Sequence, residues 1–563
     1  MRGSFRTGDR LLLILATLSV LALIVVPLIR LTRVMLEHGG ASVQRILAAP
    51  GLRAAVMHTV VLACIVPGLA VPLGSAMALL LRRGDVPFRS PLRVGVLLPL
   101  IVPQFVLGYS WTQAYGRAGF TDSLLGLRWT TLTGPVGIIV VLVVDIAPLS
   151  YLLTAAGLAT RAQPQLEHAA RVSGAGAWTT LRPVTLPLLR PVLAAEVVLT
   201  FVATLESFAV PQVLGQQSGF STLTTRIYAD LALASDRDSF VDAVTLAIGL
   251  VVVAGVVLVP ADLILTPRLR SARTGHSTGG AVPSRRSWRG GLLAMTVAAY
   301  STLAVGLPTV ALASAAVTRA IGLPPTTSNW TLDNFRAALS SPTLAATWNS
   351  IQLAAGAAFA LTALGTLVAA LERRRSARAL GTIAILTFAV PGSALAVGLL
   401  IAYGRWFGGS LALILMAYLA KFWALAHRAV SGAVDRLPHA EWQAARASGA
   451  TPVVAVRTVW LPSLAPALLG AWVLVFLSAL HEVTMSSLLY SAGNQTLAVA
   501  VLNSQQLGDV GTTAALSVLL TGLLLLAGLP AWFLLRLVIR HRTGPRQEAR
   551  MAPQRLLVVV GAR

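Results

Sequence analysis

Twelve long apolar runs divide the chain, and they restrict its fold more than any other feature of the sequence. A helix needs about 20 apolar residues to cross the hydrocarbon core of a bilayer. Lipid offers the backbone no hydrogen bonds, so a chain built from such runs must satisfy its peptide groups within helices. We therefore expect an all-α membrane protein with about 12 transmembrane helices, near residues 11–29, 55–81, 94–113, 134–158, 191–214, 241–265, 291–316, 350–371, 379–403, 409–430, 464–490 and 511–538. Pro99 and Pro103 predict a kink in the third helix.

The charged residues support this class and indicate the orientation of the chain. Only 11% of the residues are charged and 56% are hydrophobic, which excludes an ordinary soluble protein. The net charge of +24 comes from arginines spread among the short segments between the runs, as the positive-inside rule describes. This pattern predicts that the chain contacts membrane lipid and does not bind nucleic acid. It also predicts that both termini lie in the cytoplasm. The segment Arg30–Arg33 after the first run has no small-residue cleavage site, so we expect that run to remain as a span.

A polar segment near the middle of the chain separates two similar halves. Residues 267–290 are rich in Gly, Ser and Arg, which is typical of a flexible linker between domains. Six apolar runs precede this segment and six follow it. We therefore expect a first half at 1–266, a cytoplasmic linker at 267–290, a second half at 291–540 and a basic cytoplasmic tail at 541–563.

One short motif occurs once in each half. Residues 169–175 read AARVSGA and residues 444–450 read AARASGA, 275 positions apart, and the same offset joins Pro187 to Pro462. Paired alanines favour a helix and allow a partner surface to approach closely. The glycine of each copy can take a positive φ and end that helix, and the proline suits the first turn of the next one. The motifs lie in polar loops at 160–190 and 431–463. An ordinary duplicated loop remains the alternative.

These residues resemble the cytoplasmic coupling loop of ABC importer permeases. The signature of that family is Glu-Ala-Ala, three further residues and Gly, with a Leu-Pro near the end of the loop. His168 and Gln443 stand at the usual Glu position, and Glu167 and Glu441 lie nearby but out of register. The resemblance implies that ATPase coupling depends on Ala169, Ala170, Arg171, Gly174 and Pro187 and on Ala444, Ala445, Arg446, Gly449 and Pro462.

The same resemblance implies a fold and a set of partners. The fold is that of a type I ABC importer permease with two six-helix repeats, in the bacterial plasma membrane. The partners are two ATPase subunits, which bind ATP and Mg²⁺, and an extracytoplasmic substrate-binding protein. Lys421, the only lysine of the sequence, follows Ala420, so the chain has no P-loop and we expect neither enzymatic activity nor a bound cofactor.

Further segments resemble the ferric iron branch of these permeases. They are Trp330–Phe335, Glu482 with the following Ser486–Ser491, and the first-half segments Leu205–Phe208 and Thr224–Tyr228. His481 stands where that branch has an Arg. The resemblance implies ferric iron as the substrate, while related branches carry polyamines, thiamine or aminoethylphosphonate. A secondary transporter with two parallel six-helix repeats would also explain the duplication, but not the paired loops, and a channel would need a filter segment that we do not recognise.

Ionisable residues within the apolar runs are candidates for a role inside the membrane, where charge is costly and marks a cavity or a partner. We consider Asp145, Glu196, Glu206, Lys421, His481 and Glu482. We expect Lys421 to extend to the cytoplasmic interface and Glu196 to be interfacial. Glu206 and Glu482 lie at similar positions in the two halves. The candidate path residues are Asp145, Glu206, His481 and Glu482, with structural hydrogen bonding as the alternative for the two glutamates. Carboxylates favour a hard cation, and no stable metal site is expected.

Overall fold

The structure is a computed structural model that describes residues 14, 17–48, 50–82, 86–161, 164–234, 236–271, 288–320, 322–324, 326–372, 387, 390–437, 439–531, 533–534 and 537. Throughout this part of the chain the regular structure is helical, apart from one isolated bridge between Thr318 and Trp330. The expected tail and most of the expected linker lie outside the described residues.

The first half is a series of long apolar helices joined by short ones. Pro67 and Pro72 lie inside a 33-residue helix, which membrane helices tolerate because neighbouring groups satisfy the freed carbonyls. Its helices are α1 Val26–Ala48, α2 Pro50–Arg82, α3 Arg89–Leu97, α4 Gln104–Tyr115, α5 Phe120–Leu125, α6 Pro135–Arg161, α7 Pro164–Val172, α8 Ala177–Thr180, α9 Leu186–Leu205, α10 Ala209–Gly215, α11 Leu223–Tyr228 and α12 Arg237–Ser271, with π turns at Leu21–Val25, Leu181–Thr185 and Ala229–Leu233 and 3₁₀ turns at Leu98–Leu100 and Gln216–Ser218.

The second half repeats this order. Its helices are α13 Trp288–Ser301, α14 Leu307–Ala316, α15 Asp333–Ala338, α16 Ser341–Glu372, α17 Gly392–Phe407, α18 Leu411–Asp435, α19 His439–Ala447, α20 Pro452–Ala455, α21 Leu461–Leu480, α22 Thr484–Leu489, α23 Leu497–Gln506 and α24 Val510–Ala531, with π turns at Thr302–Gly306 and Val456–Trp460 and a 3₁₀ turn at Thr327–Asn329.

Ten helices of the described residues are long and apolar enough to cross a membrane, and an eleventh span results if one bent pair counts as a unit. That pair, Arg89–Leu100 and Gln104–Leu125, bends by 104°, so the kink predicted from Pro99 and Pro103 is confirmed. The expected run 379–403 lies partly outside the described residues, and its described helix α17 has 16 residues. The all-α membrane fold is therefore confirmed, with fewer uninterrupted spans than the apolar runs predicted.

Two predicted spans end earlier than hydropathy suggested. The run 191–214 stops at Leu205, and the run 464–490 stops at Leu480. Each is followed by a short helix, α10 or α22. All residues of α10 are buried, and so are those of α22 except Thr484, which is half-buried. The apolar runs did not indicate either break, because each short helix contains enough apolar residues to extend the run.

Close helix contacts at glycine position the same pair of helices in each half. An added Cβ at Gly74 of α2 would lie 2.3 Å from the carbonyl oxygen of Ala147 in α6. One at Gly365 of α16 would lie 2.9 Å from the amide nitrogen of His427 in α18. Larger residues would separate these helices, so the two halves share one packing plan.

Candidate coupling helices and translocation path

The duplicated motif forms the same helix end in both halves. Gly174 follows α7 with φ +84°, and Gly449 follows α19 with φ +86°, as the sequence predicted. The next amide nitrogen closes the cap, from Ala175 to the Ala170 oxygen at 3.0 Å and from Ala450 to the Ala445 oxygen at 3.1 Å. This six-residue loop is the Schellman arrangement. The paired alanines therefore supply the carbonyls that each cap requires.

The backbone angle, and not a lack of space, requires glycine at these two turns. No atom outside the immediate chain lies within 4 Å of a Cβ added at Gly174 or Gly449. The hydroxyls of Ser173 and Ser448 donate to the Ala169 and Ala444 oxygens, each at 3.0 Å. The serine of the motif thus gives a second hydrogen bond to a carbonyl that its own amide already contacts.

The Leu-Pro pair lies in the first turn of a long helix, as expected, but that helix begins further upstream. Helical structure continues from Trp178 to Leu205 and from Pro452 to Leu480. A five-residue π turn stands directly before each Leu-Pro, at Leu181–Thr185 and at Val456–Trp460. The wider turn accommodates a proline that has no amide hydrogen to donate. Each proline thus lies at the start of an α-helix, as predicted, and that α-helix continues a helical segment that begins upstream of it.

Large apolar side chains on this face are open to solvent. Trp178 is 68% exposed and Val453, at the same place in the second half, is 76% exposed. Val172 in the first cap is 88% exposed. The Arg446 guanidinium donates to the Ala450 oxygen at 2.5 Å, whereas the side chains of His168 and Arg171 lie outside the described part of the chain. The segment that follows each cap therefore presents one large exposed apolar side chain, Trp178 or Val453, at the coupling end of the bundle.

Different chemistry fastens each short helix to the following span, and the sequence did not reveal it. The Glu167 carboxylate in α7 accepts hydrogen bonds from Thr185 at 3.2 Å and from Arg82 at 3.4 Å. At the positions that match Glu167 and Thr185, Trp442 and Trp460 pack their rings with centroids 4.4 Å apart. The glutamate that was out of register with the family pattern thus anchors the helix.

Lys421 and Glu206 form an ion pair between the two halves. The lysine Nζ lies 2.5 Å from the Glu206 carboxylate and also donates to the Val390 oxygen at 3.1 Å. Their side chains are only 13% and 19% exposed. The expectation that Lys421 extends to the interface is wrong, because α18 continues to Asp435 and places this residue near the middle of the helix.

Glu482 belongs to a separate network at the start of α22. Its carboxylate accepts hydrogen bonds from the amide of Met485 at 2.7 Å, the amide of Ser486 at 3.0 Å and the Ser486 hydroxyl at 2.8 Å. The Ser486 hydroxyl also contacts the Tyr418 hydroxyl at 2.8 Å. The carboxylate therefore stabilises the amino end of a short buried helix, where free amides attract negative charge. Glu206 and Glu482 differ in their partners, although they occupy similar places in the sequence.

Asp145 connects to the Glu206 region through one side chain. Gln104 donates to the Asp145 carboxylate at 2.8 Å and accepts a hydrogen bond from Ser207 at 3.2 Å. His481, half-buried, follows the end of α21 at the place of Glu206 in the first half. These contacts bring Asp145 and the end of α9 together near the broken helix pair.

Glu196 is buried among three helices and is not interfacial as predicted. Its side chain is fully inaccessible to solvent and accepts hydrogen bonds from Thr154 at 2.7 Å and from Ser75 at 3.3 Å. The prediction failed because sequence position alone does not show which helices surround a residue. The hydroxyls of α2 and α6 hold the carboxylate in a structural role.

In each half, two neighbouring side chains of a long helix hold the loop that precedes a short helix, α11 in the first half and α23 in the second. Neither pair was recognised in the sequence. His58 contacts the Ser221 oxygen through Nδ1 at 2.9 Å, and Asn349 donates to the Gln495 oxygen at 3.1 Å. The next residue, Thr59 or Ser350, accepts the first amide of the short helix, in both cases at 2.8 Å. The two halves thus use one staple, built from different residues.

The end of the bundle away from the coupling motifs contains a polar cavity of about 320 Å³. Both halves contribute to it, with Gln113 from the first and Arg319, Asn334 and Asp509 from the second. The amide of Asn334 donates to the Thr318 oxygen at 2.9 Å, which folds the Trp330–Phe335 segment back onto α14. Nearby, hydrogen bonds from Thr331 and Arg336 hold the pKa of Asp333 below its usual value.

These features define a membrane transport permease made of two similar halves around a central interface. The chain belongs to the family of binding-protein-dependent transport system inner membrane components, whose model matches residues 70–271 and 361–543. The match in both halves favours this class over a secondary transporter. Among the described residues no group of three or more His, Cys, Asp or Glu side chains could hold a metal ion.

Three relatives show how the chain compares with characterised or named permeases. It is 26% identical to the ferric transport system permease protein FbpB of Actinobacillus pleuropneumoniae, over 74% of this chain and 62% of that protein. It is 26% identical to the probable ABC transporter permease protein y4fN of Sinorhizobium fredii, over 90% and 93% respectively. It is 33% identical to the molybdenum transport system permease protein ModB of Mycobacterium tuberculosis, over 38% of this chain and 80% of that protein. The alignment therefore spans less than two thirds of the first relative and nearly all of the second.

Proposed function

We propose that this chain forms the whole transmembrane pathway of an ATP-driven importer that carries ferric iron across a bacterial plasma membrane. The observation that carries the proposal is the repeated coupling helix. Gly174 and Gly449 form matching caps, and the exposed side chains of Trp178 and Val453 lie at the same end of the molecule. Two coupling helices with the same cap on one chain suit two copies of one ATPase subunit.

The ATPase subunits would bind ATP and Mg²⁺ and act on this chain through α7 and α19. Trp178, Val453 and Val172 would enter apolar grooves on these subunits, since exposed large apolar side chains mark interaction sites. The coupling helices, the 267–290 linker and both termini would face the cytoplasm, because arginines are concentrated in these segments. An extracytoplasmic binding protein would deliver the substrate to the opposite face, where both halves line the polar cavity.

Ferric iron is the substrate that the charges inside the bundle suit best. Asp145, Glu206 and Glu482 are carboxylates within the bundle, with Glu206 at a contact between the two halves, and hard cations prefer oxygen ligands. In such a path the ion would make only transient contacts, since a tight site would trap it. Ferric transport permeases are among the relatives at about 26% identity. Polyamine, thiamine and phosphonate remain the competing substrates, and molybdate joins them through the ModB relative.

Transport by the reconstituted complex tests this proposal. Proteoliposomes would contain the full chain with its ATPase subunits and would receive the cognate binding protein and radioactive ferric iron. We expect uptake that requires ATP and the binding protein and that excess putrescine, thiamine, aminoethylphosphonate or molybdate does not reduce. ATP-dependent uptake of one of these competitors without iron uptake would overturn the substrate assignment. A complex that does not assemble with any ATPase subunit would overturn the importer assignment.

A further inference from the structure

The Glu206–Lys421 contact is distinct among the ion pairs of the described residues. The others, such as Arg45–Asp242 and Arg82–Glu167, connect residues of the same half. The Glu206–Lys421 pair connects the end of α9 in the first half with the middle of α18 in the second. It therefore has to change whenever the two halves separate at this depth.

The lysine joins three segments at one point. Its ammonium group contacts Glu206, where α9 ends and the chain turns towards α10, and the Val390 oxygen, directly before Pro391 and the start of α17. On the other side of Glu206, Ser207 continues the polar contacts towards Gln104 at the start of α4. The end of α9 and the starts of α4 and α17 thus lie close to the pair. At such helix ends the bundle can open without bending a continuous helix.

Because both charges of this pair are buried, each depends on the other for compensation. Each charge neutralises the other in surroundings of low polarity, where a lone carboxylate or ammonium group is poorly tolerated. An opening of the halves would expose both groups unless another charge replaced one of them. A cation entering the path can take the place of the lysine beside Glu206, whereas an anion would take the place of Glu206 beside Lys421.

We propose that the Glu206–Lys421 pair is a lock that closes the empty path and that an incoming cation opens it by replacing Lys421 beside Glu206. The lysine thereby acts as an internal substitute for the substrate charge. The cation part of this statement rests on the proposed function, but the lock itself does not. Lys421 thus helps to select the charge of the substrate and prevents passage when none is present.

An exchange of the two charged residues distinguishes their role as a lock from the contact of Glu206 with the substrate. The full chain, reconstituted with its ATPase subunits, would be compared as wild type, Lys421→Met, Glu206→Gln and the double exchange Glu206→Lys with Lys421→Glu. Two quantities are measured, the passive efflux of a small trapped dye without ATP and the ATP-driven uptake of ferric iron. Glu196→Gln is the matched control, since it alters a buried carboxylate whose partners belong to one half.

We expect both single variants to increase passive efflux roughly tenfold, a size typical of coupling between two conformational states. The double exchange restores the opposite charges and should return efflux to about the wild-type rate, while iron uptake stays low because the carboxylate has moved to α18. Wild-type efflux in both single variants, or persistent efflux in the double exchange, would overturn the lock. If the wild type carries molybdate and not iron, the proposed substrate fails, and the efflux data still decide the lock.

Discussion

Trp442 packs against Trp460 with ring centroids 4.4 Å apart, at the two positions that Glu167 and Thr185 occupy in the first half. Each pair connects a coupling helix to the π turn of the following span. One connection is aromatic and the other is polar, although the surrounding backbone is the same. The two helices should therefore respond differently to substitution, which provides a test of how motion reaches the spans.

Trp442→Ala should loosen α19 from the next span and reduce transport while ATP hydrolysis continues. An aromatic pair contributes about 0.5–1.5 kcal/mol beyond its buried area, so a partial loss of coupling is expected. The measurement is the ratio of substrate transported to ATP hydrolysed in proteoliposomes. Glu167→Gln is the corresponding change in the first half and should have a smaller effect, since Gln keeps an acceptor for Thr185. An unchanged ratio in Trp442→Ala would show that the ring contact is not part of the coupling.

Gly174→Val and Gly449→Val should each uncouple transport from hydrolysis. A residue with a side chain in the left-handed region costs about 1–2 kcal/mol, so the cap should shift and the coupling helix should move. Gly470→Val is the matched control, because the space around Gly470 is equally open and its backbone is an ordinary helix. Full transport by the double variant of Gly174 and Gly449 would contradict the assignment of the caps to coupling.

The staples before α11 and α23 predict a simple pattern of rescue. His58→Ala and Asn349→Ala each remove a hydrogen bond to a loop carbonyl and should lower the free energy of unfolding by about 1 kcal/mol. His58→Asn should retain most of the stability, because asparagine makes the matching contact in the second half. The readout is the thermal midpoint of the solubilised protein, followed by its elution as a single species. Equal midpoints for His58→Ala and the wild type would show that this contact contributes nothing.

Glu206→Gln and Glu482→Gln should both lower iron uptake, but by different routes. The first change removes the charge beside Lys421, whereas the second weakens the cap of α22. Both changes should lower the thermal midpoint, since one leaves the buried Lys421 ammonium without its charge partner and the other weakens a helix cap, but only Glu206→Gln should also raise passive efflux. Co-purification with the ATPase subunit controls for assembly. Normal iron uptake by both variants would mean that neither carboxylate serves the path.

A cysteine placed at Ser277 should be labelled only after the cell membrane is opened. This position belongs to the arginine-rich linker, which we expect in the cytoplasm. The single native cysteine, Cys64, is exposed on the surface of the bundle and should first be replaced by serine. Labelling of intact cells by a reagent that cannot cross the membrane would reverse the proposed topology.

The sequence predicted what depends on local periodicity and on repetition. Apolar runs indicated the membrane helices, and the repeated motif indicated two matching helix ends, with Gly174 and Gly449 at positive φ. Pro99 and Pro103 indicated the break in the third helix. These features follow from hydrogen-bonding needs and backbone angles that neighbouring residues impose on one another, so a linear pattern contains them.

Only the tertiary structure decided which charges meet. Lys421 and Glu206 are 215 residues apart in the chain and belong to different halves, and neither helix alone indicates that they form a pair. Glu196 and Glu482 read as similar intramembrane acids, yet one lies among three helices and the other caps a short one. The periodicity of apolar residues indicates which face of a helix is buried, but not which other helix packs against that face. The neighbours are set by close packing, as at Gly74 and Gly365, where the lack of a side chain allows two helices to touch.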